Sequence, residues 1–163
     1  MVFYLLLILT KILKINQFKY RYLTENEIRL ARTVFSDLID YQKVIIMNQP
    51  YLPWQPVGVF MAPNGYIHVK DANYSFDYAK ENLSYQSVFI HELTHVYQHQ
   101  QKINVLLKGA LLQIAYHLSF KKYNPYQYEL TDNKAFFDYN IEQQGDIAKD
   151  IFLKKIKNII LNT

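Results

Sequence analysis

The chain has 163 residues, half of them hydrophobic, with 18 Lys+Arg against 14 Asp+Glu for a net charge of +4, and no cysteine. That length supports one packed domain without disulfides. The lack of cysteine excludes a thiol nucleophile, a thiolate-held zinc or iron–sulfur cluster and a disulfide framework, so any metal must rest on His and carboxylate ligands. Lys and Arg are spread along the chain apart from Lys154, Lys155 and Lys157, a pattern that argues against nucleic acid as a partner.

Val2 to Leu9 reads VFYLLLIL. No positive charge precedes it, Lys11 and Lys14 interrupt the apolar run, and no small-x-small site ends it, so it does not read as a cleavable signal peptide. It is also well short of the roughly 20 apolar residues of a membrane span. Residues 1–22 are therefore set apart as an apolar segment: either an amphipathic first helix packed on the domain or an anchor touching a membrane surface. The domain itself is expected over 23–163.

Thr24 with Glu27 forms a capping box, and Ile28, Ala31, Phe35 and Leu38 recur at helical spacing, predicting a helix from about 25 to 39. Asp40 to Met47 reads as a strand, and the segment with Pro50, Pro53 and Pro56 as a loop. Val57–Met61 and Tyr66–Val69 flank Ala62-Pro63-Asn64-Gly65 and predict a hairpin. A helix capped by Ser84 or a neighbour should run to about Gln101, with a second apolar helix from about Asn104 to Ser119. Asn124-Pro125 breaks it. A long helix is expected from near Asp132 to the C-terminus, turning Ala135, Phe136, Tyr139, Ile147, Ile151 and Phe152 inward, with Gly145 permitting a close approach in its middle. The order is α+β: a small antiparallel sheet with a mainly helical core.

His91-Glu92-Leu93-Thr94-His95 places two imidazoles at i and i+4, on one face of a helix, where both reach one ion. Glu92 then lies beside that ion, positioned to deprotonate a water. The flanks Val88, Phe89, Ile90, Val96 and Tyr97 suit a buried helix. A catalytic zinc needs a third protein ligand and an open position. His99 continues the i+4 row but drifts around the axis, and is assigned to the surface or to a supporting role. The metzincin spacing fails at Gln98 and Gln101. His68 and His117 read as structural. In Asn140-Ile141-Glu142-Gln143-Gln144-Gly145-Asp146, Glu142 and Asp146 again share a face: Glu142 is the candidate ligand, and Asp146 the acceptor for the outer nitrogen of a ligand His. Glu129 and Asp138 are fallback ligands. Zinc is the default metal for two His and one carboxylate.

An HExxH helix completed by a later Glu, with an Asp four residues on, resembles the gluzincin class of zinc peptidases. FIHELTHVYQHQ, MAPNGYIHV, LARTVFSDLIDY and DYNIEQQGDI together resemble the metallopeptidase toxin domain at the C-terminus of some type VI secretion VgrG spike proteins, over about Leu23 to Ile147. The resemblance implies a zincin-like core with Zn2+ held by His91, His95 and Glu142 and Glu92 as general base. It also implies peptide or protein substrates, spike and immunity partners, and action as a secreted toxin in the periplasm of a target bacterium. Tyr123, Tyr126, Tyr128 and Tyr139 are all candidates for stabilising the oxyanion, and either strand of the expected hairpin is a candidate edge for an extended peptide. The competing readings are a non-catalytic metal-binding or interaction protein and a hydrolase of peptidoglycan stem peptides.

Overall fold

The computed structural model describes residues 17–161, so residues 1–16 of the apolar N-terminal segment lie outside the described residues. Within the rest of that segment, Tyr20–Tyr22 form β1. Helix α1 spans Glu25–Phe35 with both halves of the Thr24/Glu27 capping box in place. It stops short of residue 39 because Ser36 turns out of helical geometry, with a φ of 48°. Tyr41 then donates its hydroxyl hydrogen bond to the Ser36 carbonyl at 2.7 Å, closing the corner.

The strand expected over 40–47 contracts to β2, Ile45–Met47, preceded by a 3-10 turn at Tyr41–Lys43. The cause is a side chain. The Gln100 amide accepts from the Asp40 N–H at 2.8 Å and donates to the Asp40 carbonyl at 3.1 Å, so neither group is left for a ladder. β3 is only Ile67–His68. β1 pairs antiparallel with β2, whereas β2 and β3 run parallel. The sheet is therefore mixed rather than antiparallel, because residues 48–66 are long enough to return the chain to the same end.

The expected hairpin survives as a single antiparallel bridge, Met61 to His68. Pro56 and Pro63 cannot donate to a ladder. The buried Gln55 side chain takes over, donating to the carbonyls of Val59 at 2.8 Å and His68 at 3.1 Å. Gly65, at a φ of +84°, packs so closely on His99 that a Cβ would lie 2.6 Å from its ring. That contact occupies His99 at the end of its helix.

Helix α2, Leu83–Gln100, is capped by Asn82, and helix α3, Val105–Leu118, by Asn104. The long C-terminal helix expected from 132 begins only at α4, Ile141–Phe152, after a 3-10 turn at Phe136–Asp138. Asn140 sets the boundary: its side chain accepts from the Glu142 and Gln143 N–H groups, and Gln143 reaches back to close the box. Phe136, Tyr139, Ile147 and Ile151 are buried as the pattern predicts, but Ala135 is exposed outside the helix. Past α4 the chain doubles back, and Asn158 donates to the Val34 carbonyl at 2.7 Å. The architecture is α+β, with four helices and one three-stranded sheet among the described residues. Its core centres on Phe35, Tyr78, Phe89, Ile90, Leu93 and Ile147, with α4 packed along α2.

Candidate metal centre

The middle of α2 is buried on nearly every side, which is unusual for a stretch carrying Glu92, Thr94, His95 and Gln98. Polar groups are tolerated there only when they find partners. Thr94 bonds back to the Ile90 carbonyl at 3.2 Å. His95 and Gln98 reach toward α4, and Glu92 toward the Ala62 N–H.

The Nε2 atoms of His91 and His95 lie 3.4 and 3.6 Å from Glu142 Oε2. One ligand atom from each of these three residues falls within 4.8 Å of the others. Both imidazoles are held from behind. His91 Nδ1 is 3.2 Å from Asp146 Oδ1, an oxygen that Lys149 also contacts. His95 Nδ1 is 2.9 Å from Gln98 Oε1. Gln98 uses its amide nitrogen to donate to the Ile141 carbonyl at 3.0 Å and to Gln144 Oε1 at 2.9 Å, which fixes its orientation. Its oxygen therefore faces His95 and accepts from Nδ1–H, which leaves Nε2 directed at Glu142 as the nitrogen that would bind an ion once it sheds its proton. Gln144 completes the chain by donating to the Tyr139 carbonyl at 2.6 Å.

Gly145 is what lets the two helices meet. A Cβ there would lie 2.5 Å from Cε1 of His91, inside the ring's own space.

The donor set fits a metal. Two neutral imidazoles and one carboxylate are zinc ligands by type, and Glu92 supplies an independent sign. Buried beside them, it receives the Ala62 backbone N–H, yet its Oε2 has no hydrogen-bond partner. A buried carboxylate oxygen without a partner is costly unless something else enters the pocket.

The electrostatics of the metal-free cluster agree. Burial opposes charge on His91, but the bonds to Asp146 and Glu142 win and push it up to about 10. His95 rises as well, against burial, through Glu142. Glu142, though buried, is held well below the usual carboxylate range by the two histidines. Burial pushes Glu92 up, with His95 and His91 resisting. The acids thus favour positive charge on the imidazoles, which is what a cation would replace.

His91, His95, Glu142 and Asp146 come together as the spacing predicts. His99 is exposed and lies against Gly65 instead. His68 is buried between the Gln49 carbonyl and Asn64, and His117 is exposed on α3. The fallback ligands Glu129 and Asp138 are exposed and outside the cluster. Sequence reasoning missed Gln98 and Gln144; the available signal was that Gln98 stands one turn after His95, on the same helix face.

Of the four tyrosines, Tyr128 bonds Asp150 at 2.6 Å and Tyr139 bonds the Glu129 carbonyl at 3.1 Å. Tyr123 lies 3.4 Å from the Asn140 amide. Tyr126 differs. Burial and then the negative charge of Glu142, with weaker contributions from Glu92 and Asp146, push its phenol up to about 12, while Gln113 bonds it. Gln113 is one turn along α3 from Gly109, whose Cβ position lies 4.0 Å from Glu142 Oε1, and the influence of Glu142 marks Tyr126 as the tyrosine candidate nearest in charge to the cluster.

A small α+β domain with a two-histidine, one-glutamate cluster between helices is the class that the fold and site define. The chain matches no protein-family model. It is 47% identical over 136 residues to the type VI secretion system spike protein VgrG2b of Pseudomonas aeruginosa, a match covering 83% of this chain and 13% of that protein. The solved effector domain of Pseudomonas aeruginosa VgrG2b superposes with a TM-score of 0.75 at 44% identity, covering 86% of this chain and 78% of that one. The chain belongs to the family of the VgrG2b effector domain.

Proposed function

We propose that this domain is a zinc-dependent peptidase that serves as a type VI secretion effector. The observation that carries the reading is the convergence of His91, His95 and Glu142 beside a buried Glu92 oxygen that no other group satisfies. A bound zinc ion would supply a Lewis acid and a water acidified to a pKa of about 7. The protein's own groups supply the rest. Glu92 Oε2 accepts the proton of the attacking water and returns it to the leaving amine, a role favoured by the burial that raises its pKa. Asp146 and Gln98 hold the two imidazoles with Nε2 inward. Tyr126 donates its hydroxyl hydrogen to the oxyanion.

Segment 57–61 is bridged to the sheet at Met61 and its neighbour Ala62 donates to Glu92, but Gly58 and Val59 already spend their backbone groups on Asn73, Pro56 and Gln55, so the segment is assigned a wall of the substrate cleft rather than a pairing edge. Attachment to a spike protein and action in the periplasm are taken from the family and are part of the proposal.

Glu92→Gln should retain one zinc per chain while peptide cleavage falls about 10³-fold, within the range for loss of a general base. The same change should abolish killing when the protein is exported to the periplasm. Unchanged cleavage with zinc retained overturns the peptidase reading, and harm confined to cytosolic expression overturns the periplasmic one. Tyr126→Phe should lower kcat about 10²-fold with zinc content and KM unmoved.

A further inference from the structure

Helix α3 buries little of itself. Val105, Gly109, Leu112 and Tyr116 face the domain, whereas Leu107, Leu111, Ile114 and Leu118, spaced i, i+4, i+7 and i+11, point the other way and are 53–76% exposed. Phe120, thrown outward from the end of the helix in a left-handed conformation (φ 53°), is 88% exposed. A continuous apolar stripe of this size facing water calls for an occupant.

Charge identifies it. From Leu93 to Tyr128 the chain has no acidic residue, while Lys108 on the flank of α3 and Lys121 and Lys122 just past its end stand exposed. Against a second copy, these lysines would meet their own like charges. Against an anionic lipid surface, each is attracted, and the leucines enter the boundary between headgroups and acyl chains. With 14 residues, α3 is too short to cross a membrane, so it would lie on the surface rather than span it.

We propose that α3 and the Phe120–Lys122 turn form a docking surface for anionic phospholipid membranes. The proposal is independent of the peptidase reading. Because the inner face of α3 carries Gly109 against Glu142, docking holds the metal-ligand cluster about one helix diameter from the lipid.

The test is vesicle flotation of the full chain with phosphatidylcholine vesicles containing a quarter phosphatidylglycerol, beside vesicles of phosphatidylcholine alone. Binding is expected to the first and to be weakened by 0.5 M salt. Replacing Leu107, Leu111, Ile114 and Leu118 together by Gln should reduce partitioning at least ~100-fold. Lys121→Gln with Lys122→Gln should reduce it about thirtyfold. Circular dichroism and thermal melting verify that the variants fold, and Phe120→Ser alone, at a side chain that is almost fully exposed, should still weaken binding measurably. No binding by the parent chain, binding unchanged in the folded four-site variant, or self-association through the stripe without vesicle binding would each overturn the proposal.

Discussion

The molecule contains two buried carboxylate centres of opposite character. Glu27 is fully buried, and every bond it can make is made. Arg21 grips both oxygens at 2.7 Å, and the N–H groups of Thr24 and Tyr78 donate at 2.8 Å each. Arg21 in turn donates to the Ser75 carbonyl, so one charge pair ties β1, α1 and the 75–78 loop together. Glu92 is as deeply placed, yet one of its oxygens has no partner, and its neighbours are imidazoles pulled toward a third acid. The difference separates structure from chemistry: a carboxylate satisfied by fixed partners stabilises the fold, whereas one left unsatisfied among potential ligands is kept for something that arrives later.

The sharpest way to break this contrast is to neutralise each acid in turn. Glu27→Gln strands the buried Arg21 charge and should cost about 3–5 kcal/mol in urea denaturation. Glu92→Gln, which silences the proposed activity, should leave stability unchanged or raised, because it removes a poorly solvated charge. Equal losses of stability at the two positions would erase the distinction.

Gly145→Ala strikes the second centre without touching a polar group. Its methyl occupies the place of the His91 ring, so zinc affinity measured against a competing chelator should drop about 10²-fold, with a stability loss of about 1–3 kcal/mol from overpacking. Retained affinity would mean that the ring can move aside.

The last test of the contrast is the pH dependence of metal uptake. His91 is raised to about 10 when metal-free, so it carries a proton through the neutral range that a ligand must lose. Affinity should therefore climb with pH up to about 10, by up to tenfold per unit for each proton expelled, with proton release detectable by calorimetry in buffers of different ionisation enthalpy. A flat profile would contradict the charge assigned to His91.

Much of this was legible in the chain itself. The Thr24/Glu27 box, the Asn104 start of α3 and the i, i+4 pairs at His91/His95 and Glu142/Asp146 are local features, decided within a turn or two of helix. Gly145 was readable as a point of close approach, though not what approaches it. The failures share a cause. The strand at 40–44 lost its ladder to Gln100, the hairpin was replaced by Gln55, and the long C-terminal helix was cut by the Asn140 cap. In each case a side-chain amide, the first two of them far along the chain or across the sheet, competed for backbone hydrogen bonds that periodicity assigns to regular structure.

The sequence by itself determined which residues have the chemistry to hold an ion, because helical spacing and donor type are properties of short segments. Only the tertiary structure decided that Glu142, rather than Glu129 or Asp138, completes the cluster, that Gln98 and Gln144 hold His95, and that Tyr126 senses the charge of Glu142. These depend on how α2, α3 and α4 pack, and packing is settled by the fit of buried surfaces such as Gly145 against His91, which no pattern along a single segment contains.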